Sequence, residues 1–216
     1  SSNASDLLCF NDNTGGLDIT VTGGTIPYNF DWDNLAGSNN PEDQPNINAG
    51  TYQVTVTDNN GCVIIDAYTI IEPLEIDITA VITNNDCFGD AQGAIDVTVA
   101  DGIAPYQFSW DTGSTNEDES LLSAGNYLFS VTDDNGCTRD SLFTITEPNQ
   151  IIFDATVVNA NCNLSDGDIT TNVSGGTLTS PDYTYDWQFG GTSIASTADI
   201  LGQPAGVYTF FVEDDN

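Results

Sequence analysis

The sequence predicts an all-β chain built as a tandem array of β-sandwich repeats, on three observations. Aromatic residues recur at every second position in Tyr28-Asn29-Phe30-Asp31-Trp32, in Tyr106-Gln107-Phe108-Ser109-Trp110 and in Tyr183-Thr184-Tyr185-Asp186-Trp187. Side chains alternate sides along a strand, so each set puts three rings on one face, and Tyr28, Trp32, Tyr106, Trp110, Tyr183 and Trp187 are expected core aromatics. Landmarks recur at a fixed interval: Cys62 to Cys137 and Pro73 to Pro148 are both 75 residues apart. No segment shows helical periodicity with caps.

Each repeat reads in the same order. An extended segment leads to a cysteine (Cys9, Cys87, Cys162) and a polar loop. An alternating strand follows, its inward set being Leu17, Ile19 and Val21, then Ile95, Val97 and Val99, then Ile169, Thr171 and Val173. A reversal at Gly23-Gly24, Asp101-Gly102 or Gly175-Gly176 needs a permissive backbone, and the aromatic strand comes next. After a variable polar stretch the chain returns to Ala-Gly-x-Tyr at Tyr52, Tyr127 and Tyr208. A Tyr just after a Gly at the start of the penultimate strand resembles the tyrosine corner of immunoglobulin-like sandwiches. That strand ends in Asp58-Asn59-Asn60-Gly61-Cys62 and Asp133-Asp134-Asn135-Gly136-Cys137, and Asn-Gly between alternating runs is a strong hairpin signal.

A last strand closes the repeat at Glu72-Pro73 and Glu147-Pro148, with almost no linker before the next. The predicted repeats are therefore 1–73, 74–148 and 149–216, the third stopping before its second cysteine. Joined this closely, with a proline at each step, they are expected to form a rod of immunoglobulin-like (PKD- or fibronectin-like) sandwiches. Ser2-Asn3-Ala4 reads either as the end of a first strand or as a vector-derived remnant.

Charge limits the partners. There are 33 acidic residues against one basic residue, Arg139, giving a formal net charge of −32. Nucleic acid and anionic membrane need Lys and Arg, so neither is an expected partner. No run reaches ~18 apolar residues, so no membrane insertion is expected. Catalysis has little to work with: no His, no Lys and no phosphate-cradling loop. Carboxylate pairs such as Asp31/Asp33 arise by chance in so acidic a chain. Without Lys, Lys–Asn isopeptide crosslinks are excluded.

The pattern Gly-Gly-x-x-Pro-Tyr-x-Phe-x-Trp, followed by Ala-Gly-x-Tyr-x-Val-x-Val-Thr-Asp-x-Asn-Gly-Cys, resembles the SprB repeat. The resemblance spans all three copies; the third departs from it, with Pro181 two places ahead of Tyr183 and an insertion at 189–198. It implies an extracellular, outer-membrane-associated filament of gliding Bacteroidota, exported by type IX secretion. The expected function is then a non-catalytic stalk of a large surface adhesin serving adhesion or gliding motility. The alternative is a polysaccharide-binding module of a secreted adhesin or enzyme. Expected partners are neighbouring repeats, with surface polysaccharide or other surface proteins beyond them.

Several site residues follow as expectations. Two cysteines per repeat in an oxidising exterior make Cys9, Cys62, Cys87, Cys137 and Cys162 disulfide candidates. Connectivity is open between pairing within repeats (Cys9–Cys62, Cys87–Cys137) and stapling of neighbours (Cys9–Cys137), with a partner for the odd cysteine expected shortly after Asn216. Calcium is the candidate cofactor. Its ligands would come from the turns (Asp58, Asn60; Asp133, Asn135; Asp214, Asn216), the cysteine loops (Asp12, Asp90, Asp166) and the linker glutamates (Glu72, Glu147). The same residues also read as good turns with solvated side chains. Phe189 is a candidate exposed contact, and Asp140-Ser141-Leu142 resembles an O-glycosylation site at Ser141.

Overall fold

The computed structural model describes residues 1–37, 40–178 and 183–215, and every strand or helix among them is a strand. The first repeat supplies β1 (Ser2–Ser5), β2 (Gly15–Ile19), β3 (Asn29–Trp32), β4 (Gln44–Ile47), β5 (Gly50–Thr57) and β6 (Val63–Ile70). The second supplies β7 (Asp77–Thr83), β8 (Gly93–Ala100), β9 (Gln107–Trp110), β10 (Glu119–Leu122), β11 (Gly125–Thr132) and β12 (Thr138–Ile145). The third supplies β13 (Asn149–Val158), β14 (Ser165–Gly176), β15 (Thr184–Phe189), β16 (Thr192–Ala195), β17 (Ile200–Pro204) and β18 (Tyr208–Glu213).

These form six three-stranded sheets, ordered β1-β2-β4 and β3-β5-β6, β10-β8-β7 and β12-β11-β9, β13-β14-β17 and β16-β15-β18. The first two repeats share one pattern: the first, second and fourth strands pair in one sheet, the third, fifth and sixth in the other. That is the strand division of an immunoglobulin-type sandwich. Ser2-Asn3-Ala4 lies in β1, where Ser2 pairs with Ile19.

Contacts gather the chain into two compact units. The first comprises Ser1–Ala80, Val97–Glu117 and Leu128–Leu142. One core within it contains Leu17, Ile19 and Ile47 from one sheet and Phe30, Trp32, Val54, Val56 and Ile70 from the other. Burial alternates along β2 and β5, as period-two strands demand. Trp32 is fully buried, and its indole N–H donates to the Pro41 carbonyl at 2.9 Å, so the ring is packed and its polar handle satisfied. In the same unit Trp110 packs on Phe129 with centroids 4.8 Å apart, and its indole donates to Asn116 O at 3.0 Å.

The second unit comprises Val81–Asp96, Asp118–Tyr127 and Phe143–Asn216. Among the described residues, Ile95, Leu122, Phe143, Ile145, Trp187 and Ile200 are its buried apolar side chains. Trp187 lies 4.5 Å from Phe210, centroid to centroid, and its indole donates to Thr197 O and Ala198 O.

The first tyrosine of each aromatic strand sits half-buried at the rim, where its hydroxyl donates to a turn carbonyl. Tyr28 donates to Gly23 O, Tyr106 to Asp101 O at 2.5 Å, and Tyr183 to Gly175 O at 2.8 Å. The reversals they hold have positive φ throughout, from 60° at Asp101 to 92° at Gly175. Glycine fills five of the six positions because side chains disfavour that region.

Candidate functional site

Two recurring loops carry the chain's distinctive chemistry, and in the first unit they are joined. One is the Asp-x-Asn-Gly-Cys hairpin turn after β5 and β11. Asp133 Oδ1 accepts from the backbone N–H groups of Asn135 and Cys137, both at 2.9 Å, and Oδ2 accepts from Ile103 N–H at 3.1 Å. Asp58 repeats this with Asn60 at 2.9 Å, Cys62 at 2.8 Å and Thr25 at 3.0 Å. Asp214, in the second unit, accepts from Thr177 N–H at 2.7 Å. Asp58 and Asp133 thus each cap a backbone turn and clamp it to the reversal that precedes the aromatic strand, and Asp214 makes the same clamp. Backbone hydrogen bonds from Cys62 and Thr25 lead in holding the Asp58 carboxyl below its ordinary 3.8.

The other loop follows β1. Asp12 accepts from Cys9 N–H and Thr14 N–H, both at 3.0 Å, with Thr14 the leading cause of its lowered pKa. Glu72 accepts from Asn11 N–H at 2.8 Å. In the second unit Glu147 accepts from Gly89 N–H at the same distance, so the linker glutamates brace the loops of their own repeats.

Cys9 and Cys137 are disulfide-bonded, with Cα atoms 5.6 Å apart across 128 residues of sequence. Beside the bond, Asn135 Nδ2 donates to Leu8 O at 2.8 Å. The bond joins the first repeat's Cys9 loop to the second repeat's hairpin turn, so Cys9 is not paired with Cys62. Cys62, Cys87 and Cys162 are free, exposed thiols. Partial desolvation, then the charges of Asp90, Asp214 and Asp86, push the Cys87 thiol up.

Of the proposed calcium ligands, Asp12, Asp58, Asp133, Asp166, Asp214, Glu72 and Glu147 accept backbone N–H groups, Asp166 also accepts from the Asn161 side chain, and Asp90 accepts from the side chain of Gln92. Asn60 Nδ2 donates to Thr25 Oγ1 and Asn135 Nδ2 to Leu8 O, whereas Asn216 lies outside the described residues. Among the described residues, no three His, Cys, Asp or Glu side chains converge as a metal-holding group. Among the described residues, no helix is long and apolar enough to cross a membrane. Asp33 of the Asp31/Asp33 pair accepts from Gln53 N–H at 3.1 Å. Ser141 is half-buried in β12 between exposed Asp140 and Leu142.

Phe189 is 39% exposed and stacks on Tyr208, centroids 5.0 Å apart. The third repeat's insertion is a hairpin, β15 to β16, turning at Gly190-Gly191 with φ of 57° and 80°. Gly-Gly between two short alternating runs was the available sequence signal. Asn85 had none. It is buried, and its Oδ1 accepts from the N–H groups of Gln92 and Gly93, both at 2.7 Å.

The Ala-Gly-x-Tyr tyrosines each donate a hydroxyl to the carbonyl four residues upstream: Tyr52 to Asn48 at 2.8 Å, Tyr127 to Ser123 at 2.8 Å and Tyr208 to Pro204 at 2.7 Å. This is the tyrosine-corner geometry of immunoglobulin-like sandwiches, made three times.

Comparison with known proteins agrees with the repeat. The family model described as "SprB repeat" matches residues 1–37, 79–115 and 155–192, more than half of the chain. The chain belongs to the SprB repeat family. It is a repeat-type, adhesin-like module of a kind found in cell-surface proteins, and SprB repeats are a non-catalytic module type. None of the curated proteins compared with the chain matches it. Among solved structures, the three N-terminal domains of the Highly Immunogenic Outer Capsid protein of bacteriophage RB49 are similar at 17% identity and a TM-score of 0.39. That match covers 93% of this chain and 77% of the other. A complex of Dpr2 Ig1-Ig2 with DIP-Theta Ig1-Ig3 is similar at 11% identity and a TM-score of 0.26, covering 90% and 81%.

Proposed function

We propose that this chain is a stiff, non-catalytic stalk segment of a large surface adhesin, holding a distal part away from the cell for adhesion or gliding. The observation that carries the proposal is the Cys9–Cys137 bond, which joins successive repeats rather than closing one. A crosslink across a junction that already holds Pro73 restricts bending, which a stalk requires and a single folded binding domain does not. The outer membrane of a gliding bacterium is the setting that this reading gives it, with neighbouring repeats as its first partners. The net charge of −32 keeps parallel stalks apart. The recurring carboxylates act as backbone caps, so calcium should raise the melting temperature no more than magnesium does at equal ionic strength; a rise specific to calcium would assign the turns a cation.

Small-angle scattering of the oxidised chain against the Cys9→Ser/Cys137→Ser variant tests the stalk. An extended profile that loses persistence in the variant supports it, whereas identical profiles would remove the staple's mechanical role. Binding on a glycan array would instead favour a polysaccharide-binding module.

A further inference from the structure

The outer face of the third repeat's β15–β18 pair differs in kind from its counterparts. Tyr185 and Trp187 of β15 turn inward onto Phe210, so Thr184, Asp186 and Gln188 lie on the opposite face. Across the ladder, Thr184 pairs with Glu213 and Asp186 with Phe211. The matching pairs are Asn29–Thr57 and Asp31–Thr55 in the first repeat, and Gln107–Thr132 and Ser109–Ser130 in the second. Where those repeats place Thr55 or Ser130, the third places a ring that is 48% exposed. The core is served by Phe210, its neighbour in sequence, which points the other way.

Thr184, Tyr185, Asp186, Gln188, Phe211 and Glu213 line a cavity of about 280 Å³ here. That is just under the ~300–1,000 Å³ of small-molecule pockets and suits one long side chain. All six residues belong to two hydrogen-bonded neighbours, so the cavity lies over the sheet and not at its edge. In the first repeat β6 extends the sheet beyond β5 in its own plane, and a strand beyond β18 would likewise lie beside the cavity. Asp186 Oδ1 accepts from Ser193 Oγ of β16 at 2.6 Å, and Oδ2 from Gln188 Nε2 at 2.7 Å. Those bonds, Ser193 first, hold its carboxyl below the ordinary 3.8, so it is charged at neutral pH. The second unit has no basic residue, because the chain's only one is Arg139 in the first. An open ring beside two carboxylates thus offers a cation a π face and counter-charge together.

We propose that this face docks an arginine side chain presented by a protein partner, its guanidinium stacking on Phe211 and donating to Asp186 and Glu213. Charge complementarity selects a cation. A planar, weakly hydrated fork suits a ring flanked by carboxylates better than a compact ammonium does. The site lies on one repeat and needs no staple, so it stands or falls apart from the stalk reading.

The full chain, labelled for NMR, is titrated at low salt with acetyl-Ala-Gly-Arg-Gly-Ala-amide and with the same peptide carrying Lys or uncharged citrulline. The Arg peptide is expected to shift the amides of Asp186, Phe211 and Glu213 saturably. The Lys peptide should bind about threefold or more weakly, and the citrulline peptide should leave those amides unmoved. Phe211→Thr gives the face the first repeat's residue without changing the charge, and should weaken Arg binding roughly three- to tenfold. The Trp187 indole resonance reports that this variant stays folded. No saturable shift, equal binding by Phe211→Thr, or shifts spread evenly over the carboxylates of all three repeats would overturn the site. Equal Lys and Arg affinity overturns the assigned side chain. Shifts of the same amides by cellohexaose but not by the Arg peptide would overturn the protein partner and give the face to polysaccharide.

Discussion

At the scale of single residues, three side chains recur with fixed duties: the strand tryptophan, the corner tyrosine and the turn aspartate. Trp32→Ala empties the centre of the first repeat's core and should cost about 3–5 kcal/mol, read as a shifted denaturation midpoint. Tyr52→Phe keeps the packing and loses one hydrogen bond, for about 1 kcal/mol. Asp133 is buried and caps three N–H groups, so Asp133→Ala should cost about 2–3 kcal/mol, more than a surface Asp substitution.

The capping carboxylates also set the pH response. Asp12, Asp58, Asp166 and Asp186 all titrate below 3.8 in the fold, chiefly because of hydrogen bonds from Thr14, Cys62, Asn161 and Ser193 respectively. A depressed carboxylate stabilises the fold fully above its unfolded pKa and loses that contribution as pH falls through the folded one. Relief of mutual repulsion acts the other way as the other carboxylates gain protons. The melting temperature should therefore rise as pH falls from 7 toward about 4.5 and drop below about 3.5. A rise continuing to lower pH would remove the capping role.

At the scale of elements, much of the molecule was legible. Alternating rings gave the buried tryptophans, and Asp-x-Asn-Gly gave the turns, because both signals lie within ten residues of sequence. What the sequence did not disclose, or left open as it left Cys9–Cys137 beside pairing within repeats, acts across distance. The clamp from Asp58 to Thr25 spans 33 residues and Cys9–Cys137 spans 128, and only the placement of the strands brings those atoms together. The third repeat's Gly190-Gly191 hairpin was hidden by its shortness, since a four-residue β16 carries little periodicity. Close approach is equally silent in sequence. A Cβ at Gly15 would lie 2.6 Å from Ile47 O and 2.9 Å from Leu7 Cδ1, so Gly15→Ala should destabilise by about 1–3 kcal/mol.

At the scale of the whole molecule, charge and crosslinking dominate. A net charge of −32 means that salt should raise the melting temperature until screening is complete, at a Debye length of about 3 Å in 1 M salt. The single ion pair between described residues, Arg139–Glu75, is half exposed and contributes little. Reduction of Cys9–Cys137 opens a long loop, and the oxidised chain should be the more stable by about 2–5 kcal/mol.

The decisive measurement is non-reducing peptide mapping after cleavage before aspartate, because trypsin can cut this chain only at Arg139. A bond between successive repeats predicts that residues 6–11 are recovered linked to residues 134–139. Residues 6–11 linked instead to residues 58–65, the fragment containing Cys62, would mean that each repeat closes on itself, and the stapled stalk would have to be given up.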